Sequence, residues 1–256
     1  MVNSSRSVHL LVALLAGRRS SGGAKMMAHS HEERTYHTMR KLFQEELHNL
    51  GDQLSDIAVL VAEAMEKAYR SFETADVQLA EEVIAADARI DAKQNDLDEK
   101  AIELLALQGP VASDLRLIVG ALRMSTSLER MGDLARHIAQ LTRLRYPDTV
   151  APAPLVEVYR EMAEKDVAIA KKLVELMVTR QLDLVPQINA LNEQINDLHA
   201  GIFITIARPE WDASAATTAD VTLASRYFER FGDHGVSVAR KIQYLVTGEW
   251  EAAPTA

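Results

Sequence analysis

One six-residue string constrains this chain more than any other: Leu128-Glu129-Arg130-Met131-Gly132-Asp133 returns one hundred positions later as Phe228-Glu229-Arg230-Phe231-Gly232-Asp233. Both copies lie within long helical patterns. A Glu and an Asp four residues apart on a helix share a face, with Cβ atoms about 5–6 Å apart, so each copy presents two carboxylates together. Like charges side by side repel unless something cationic stands between them. Gly132 and Gly232 add to the constraint, because a glycine inside a helix costs about 1 kcal/mol relative to alanine and signals close approach or function.

Helical phasing says where the acids point. At about 100° per residue, Leu115, Ile118, Val119 and Leu122 form an apolar stripe that continues into Thr126, Glu129, Asp133 and His137. A second stripe, Leu117, Met124, Leu128, Met131, Ala135 and Ile138, lies opposite, so this helix has neighbours on two sides. In the preceding helix Val83, Ile90, Leu97, Ala101 and Leu105 share a face with Asp87, and Asp91 follows one turn on. If the two helices are antiparallel about the turn at Gly109-Pro110, Asp87, Asp91, Glu129 and Asp133 converge. An oxygen-only cluster of that kind suits iron, manganese, magnesium, calcium or zinc, and the chain has no cysteine to offer a softer ligand. An isolated E-x-x-x-D is more often a solvated face paired with arginine; repetition, the glycines and the apolar register favour a metal here.

The rest of the chain repeats a plan. The expected fold is all-α, a tandem repeat of two antiparallel three-helix bundles. Residues 1–35 form a disordered extension with a short apolar run, Val8 to Ala16, too brief to span a bilayer and poorly placed for export. Residues 36–146 hold the first three helices, beginning with the seam Leu47, Leu50, Leu54, Ile57, Val61, Ala64 and Ala68. Proline-rich 147–153 is a linker, 154–248 hold the second three helices, and 249–256 are a disordered tail. With 256 residues the chain can bury a core without disulfides, and a formal charge of −9 argues against nucleic acid as partner. No phosphate-cradling glycine loop or nucleophile elbow occurs, and no general base stands out. A ferritin-like di-metal oxidase or hydrolase needs E-x-x-H on each of two helices; only Glu45 to His48 fits, and nothing on the fourth helix matches it.

Several segments together, Met39-Arg40-x-x-Phe43-x-x-Glu46-Leu47, Leu107-Gln108-Gly109-Pro110-Val111-Ala112-x-Asp114-Leu115-Arg116 and the two hexapeptides, the second followed by His234, resemble the PhoU family of bacterial phosphate-transport regulators. The resemblance runs from residue 39 to about 248, which makes Met39 the expected native start. It implies metal clusters held by carboxylates, iron or zinc in members of the family, and thus Asp87, Asp91, Glu129, Asp133, Glu229 and Asp233 as ligands. It also implies a cytoplasmic homodimer with no enzymatic activity, which represses phosphate-starvation signalling through a sensor histidine kinase and restrains phosphate uptake through the ATPase subunit of the transporter. Membrane association is expected only through those partners. The family pattern puts two acids on the second helix of each half, but Asn192 and Asn196 stand there in the second. Glu193 and Asp197 lie next door and would need a bend near Pro186 to come round, so the second site is expected to bind metal more weakly or not at all.

Overall fold

The computed structural model describes residues 22–108, 110 and 112–249, with side chains from residue 39 onward except 107 and 108. Among the described residues six α-helices follow one another: α1 (Gly22–Thr74), α2 (Val77–Gln108), α3 (Ala112–Arg145), α4 (Val156–Thr179), α5 (Leu184–Ile206) and α6 (Ala215–Thr247). A 3-10 turn, Ala153–Leu155, precedes α4. No strand occurs among the described residues. Helix α1 starts at Gly22 instead of 36, so the extension expected to be disordered is helical from that point; alanine, methionine, lysine and glutamate, all good helix formers, fill much of 24–34. Residues 1–21 and 250–256 lie outside the described residues.

From Glu46 on the chain is one compact unit. The α1 seam is buried throughout, from Leu47 to Ala68, and meets α2 in antiparallel sense, as the ion pairs Asp56–Lys93 (2.8 Å) and Glu82–Lys67 (2.9 Å) show. Asp76 caps α2, its Oδ1 accepting from the Leu79 N–H at 3.0 Å. Helices α2 and α3 are likewise antiparallel, with Asp98 accepting from Ser125 (3.0 Å) near one end and Glu81 pairing with Arg143 (3.4 Å) near the other. The second half repeats the arrangement: Lys172 on α4 bonds Gln187 on α5, and His199 on α5 meets Ser225 on α6. Ser214 caps α6 by accepting from Thr217, and Gly248 ends it in the left-handed conformation at φ 78°. Within the expected linker, 147–153, Val150 and Ala151 are buried.

The halves meet where α1 lies along α4, with the ion pairs Glu66–Lys171 (3.2 Å) and Glu73–Arg160 (3.0 Å), and where α3 lies along α6. Phe72 near the end of α1 lies edge-on to Tyr159 (5.3 Å) and Phe228 (5.6 Å), and all three rings are buried. Helix α3 runs antiparallel to α6: Gly120 lies against Leu245, Met131 against Gly235, the His137 ring against Tyr227 (5.1 Å), and Arg145 pairs with buried Asp220. Partner numbers rise on one helix as they fall on the other, so the two hexapeptides meet at the middle of this crossing.

Candidate carboxylate sites

In the first half α2 and α3 bring Asp87 and Asp133 to one guanidinium, with Asp91 and Glu129 within electrostatic reach. Gly132 eases the approach: a Cβ there would stand 2.9 Å from Ile90 Cδ1, so a larger residue would have to shift that side chain, while Asp87 Oδ1 at 3.5 Å would be in ordinary contact. Asp87 is buried, Glu129 and Asp133 are partly covered, and Asp91 is exposed at the rim. What neutralises them in this structure is arginine. Arg136 Nε lies 2.5 Å from Asp87 Oδ2 while its Nη2 binds Asp133, so one guanidinium bridges the two helices. Arg130 Nη1 reaches the other Asp133 oxygen at 2.7 Å, and its Nε lies 3.4 Å from Glu129.

Electrostatics show that the balance is incomplete. Burial raises the pKa of Asp87, and the charges of Asp91 and Asp133 add to the rise, against the opposing pull of Arg136. Burial likewise raises Glu129, with Asp133 and Asp91 contributing. Burial acts to raise Asp133 too, but Arg136 and Arg130 outweigh it and hold it below the usual carboxylate range. Four carboxylates thus share two guanidiniums. Among the described residues no three acidic, histidine or cysteine side chains stand as a ready-made set of metal ligands, and Arg136 is seated between Asp87 and Asp133. The donor chemistry still fits a hard cation: oxygen ligands from two helices, negative charge in excess, and an occupant that is itself a flexible cation.

The second half builds a different site on the same frame. Gly232 takes the place of Gly132, and its neighbours are Asn192 Oδ1, Asp166 Oδ1 and Ile195, so Asn192 and Ile195 correspond to Asp87 and Ile90. Asn192 Nδ2 donates to Asp233 Oδ1 at 3.0 Å, and Arg226 Nη1 holds both oxygens of Glu229 at 2.6 Å. Burial raises the pKa of Glu229, helped by Asp233 and opposed by Arg226. Asn196, Glu193 and Asp197 are exposed, so no bend near Pro186 carries the two acids round.

Asp166 on α4 is fully buried, and neither of its oxygens has a hydrogen-bond partner; Asn192 Oδ1 is likewise buried and unpartnered. Burial drives the Asp166 pKa well above the normal value, and the charges of Asp233 and Glu229 push the same way. Asp166 and Arg136 are among the site residues that sequence reasoning misses. Both left a trace: Asp166 interrupts the buried stripe Tyr159, Met162, Ile169, Leu173 and Leu176, and Arg136 stands three residues after Asp133. The E-x-x-H of the oxidase reading finds no support, since Glu45 is exposed and His48 is exposed beside Asp52.

Comparison with known proteins decides the family. The model of the PhoU domain matches the chain twice, at residues 54–142 and 159–242, once for each half. This chain belongs to the PhoU family. A PhoU homolog 1 of Mycobacterium leprae, described as a phosphate-specific transport system accessory protein, is 36% identical over 212 residues, covering 83% of this chain and 96% of the relative. The Mycobacterium tuberculosis PhoU homolog 2, described in the same words, is 37% identical over 82% of this chain and 99% of its own length. The crystal structure of the phosphate transport system regulatory protein PhoU from Streptococcus pneumoniae superposes with a TM-score of 0.73 at 25% identity, covering 82% of this chain and all of that one. Among the described residues of this PhoU-family chain no helix is long and apolar enough to cross a membrane.

Proposed function

We propose that this PhoU-family chain is a regulatory accessory protein of a phosphate-specific transport system. It restrains uptake and represses phosphate-starvation signalling when phosphate is plentiful. The observation that carries the reading is the match at domain level to both halves, together with relatives of that description whose length the chain covers almost completely. The partners proposed are the ATPase subunit of the transporter and the sensor histidine kinase, engaged in the cytoplasm by a homodimer that chemically transforms neither.

The carboxylates supply the chemistry of contact. Asp87, Asp91, Glu129 and Asp133 would hold a divalent or trivalent ion, iron, zinc, manganese or magnesium, in the first half; Glu229 and Asp233, with the Asn192 carbonyl, would do so in the second. A bound ion supplies positive charge that lets an acidic face meet an anionic partner surface. The chain's own part is to fix those oxygens on rigid helices, with Arg136 and Arg130 neutralising the same oxygens when no ion is present. The experiment is recovery of the tagged protein from membranes grown at high and low phosphate, with and without Asp87→Asn, Asp91→Asn, Glu129→Gln and Asp133→Asn. Recovery of the transporter ATPase or the kinase, dependent on phosphate supply, supports the reading; recovery of neither under any condition refutes it.

A further inference from the structure

The apolar stripe that opens α3 is only half covered. Ile118 is buried, but Leu115 and Val119, one turn apart, remain 42% and 36% exposed. They line a cleft of about 280 Å³ between α3 and α6, with Gly120 on their side and Lys241, Tyr244 and Leu245 opposite. Gly120 brings the walls together, since a Cβ there would stand 3.1 Å from both Leu245 methyls. Arg116 and Arg123 complete the lining, seven residues and thus about 10 Å apart along the helix axis.

The charge in this cleft is one-sided. No Asp or Glu lines it, and among the described residues no carboxylate pairs with Arg116, Arg123 or Lys241. Arg130, Arg136, Arg143, Arg145, Arg160 and Arg226 sit in ion pairs, while Arg70, Arg89, Arg180, Arg208, Arg230 and Arg240 share with the cleft arginines the lack of one among the described residues. Lys241 donates instead to the backbone oxygen and hydroxyl of Ser237. Its burial, and then the nearby Arg123 charge, push its pKa down. In a chain of net charge −9, three cations sharing one concave spot form a focused positive potential that no carboxylate of the cleft offsets.

We propose that this cleft binds a phosphate oxyanion, free or as the terminal group of a small organic phosphate, through Arg116, Arg123 and Lys241. Three cations call for more than the single charge of a carboxylate, and guanidinium forks match a tetrahedral oxyanion in bidentate fashion. Leu115, Val119 and Leu245 give an organic body an apolar wall. None of the six carboxylates takes part, so the site stands whether or not they hold metal.

The test uses the full chain, stripped of metal with EDTA, titrated calorimetrically with orthophosphate, AMP, ATP and adenosine. Saturable binding is expected for at least one phosphate compound and not for adenosine. It should weaken about tenfold in each of Lys241→Met, Arg116→Gln and Arg123→Gln, the loss of one charge-assisted hydrogen bond, and it should fall with added salt. Arg143→Gln removes the same charge from an exposed pair elsewhere and should leave binding unchanged. Because Arg116 and Arg123 are exposed, their variants keep the test alive if Lys241→Met misfolds. Tighter binding of orthophosphate than of AMP or ATP identifies the free ion as ligand, and the reverse identifies an organic phosphate. No saturable binding, undiminished binding by all three cleft variants, or binding of adenosine as tight as AMP overturns the proposal.

Discussion

Replacing Asp166 with asparagine should stabilise this protein, and increasingly so as pH rises. Asp166 is 0% exposed, both its oxygens lack partners, and a second orphaned acceptor, Asn192 Oδ1, crowds the same glycine. Asparagine keeps the shape, removes the ionisable group and adds an N–H donor in the neighbourhood of the orphaned Asn192 oxygen. Relief of an unsatisfied buried group amounts to about 1–3 kcal/mol. For a chain of this size that corresponds to a Tm increase of about 3–10 °C. The pH dependence follows from the direction of the shift. Because the folded pKa lies above the unfolded one, the wild-type acid contributes stability that is fully present below the ordinary aspartate value of 3.8 and is lost as pH rises through the folded pKa. The gap between Asp166→Asn and wild type is therefore smallest in acid and widens toward alkaline pH. Calorimetric melting of both proteins in EDTA, across a pH series, measures it. A variant that melts below wild type at neutral pH, or a gap that stays constant or narrows as pH rises, would refute the reasoning.

Other substitutions separate the remaining claims. Gly235→Ala places a Cβ 2.5 Å from Ile169 Cγ2, so overpacking of about 1–3 kcal/mol should exceed the helix-propensity gain of about 1 kcal/mol. Gly51→Ala, with nothing within 4 Å, should instead stabilise by about 0.5–1 kcal/mol; urea midpoints decide both. Tyr159→Phe removes the 2.6 Å bond to the Val221 carbonyl but keeps the ring against Phe72, and should cost about 1 kcal/mol in the same assay. After EDTA treatment and reloading, Glu129→Gln/Asp133→Asn should take up less metal by elemental analysis than Glu229→Gln/Asp233→Asn, since the first half has four carboxylates to lose from; the opposite order reverses the ranking of the sites.

Residue spacing alone makes the α1 seam, the two faces of α3 and the convergence of Asp87 with Glu129 and Asp133 legible, because those depend on which residues share a helical face. Spacing does not show which cation reaches them. Arg136 bridges α2 and α3 only because two antiparallel helices set Asp87 and Asp133 within reach of one guanidinium, a matter of tertiary distance. The stripe from Leu115 to Leu122 reads as buried, yet the cleft against α6 leaves Leu115 and Val119 uncovered. Helix α1 begins earlier than its apolar seam, since good helix formers sustain a helix where no seam exists. Asp166 is hidden by its chemistry: an acid within an apolar stripe looks like the stripe's solvent edge until α5 and α6 close over it.

The antiparallel contact of α3 with α6 has the form of an isologous interface, the kind normally made by two identical subunits, here drawn inside one polypeptide. In a true homodimer any substitution at such a seam strikes both sides at once. Here each position can change alone, so one copy can keep Asp87 while the other acquires Asn192. A chain built as two similar halves thus carries two sites that need not share one set of side chains.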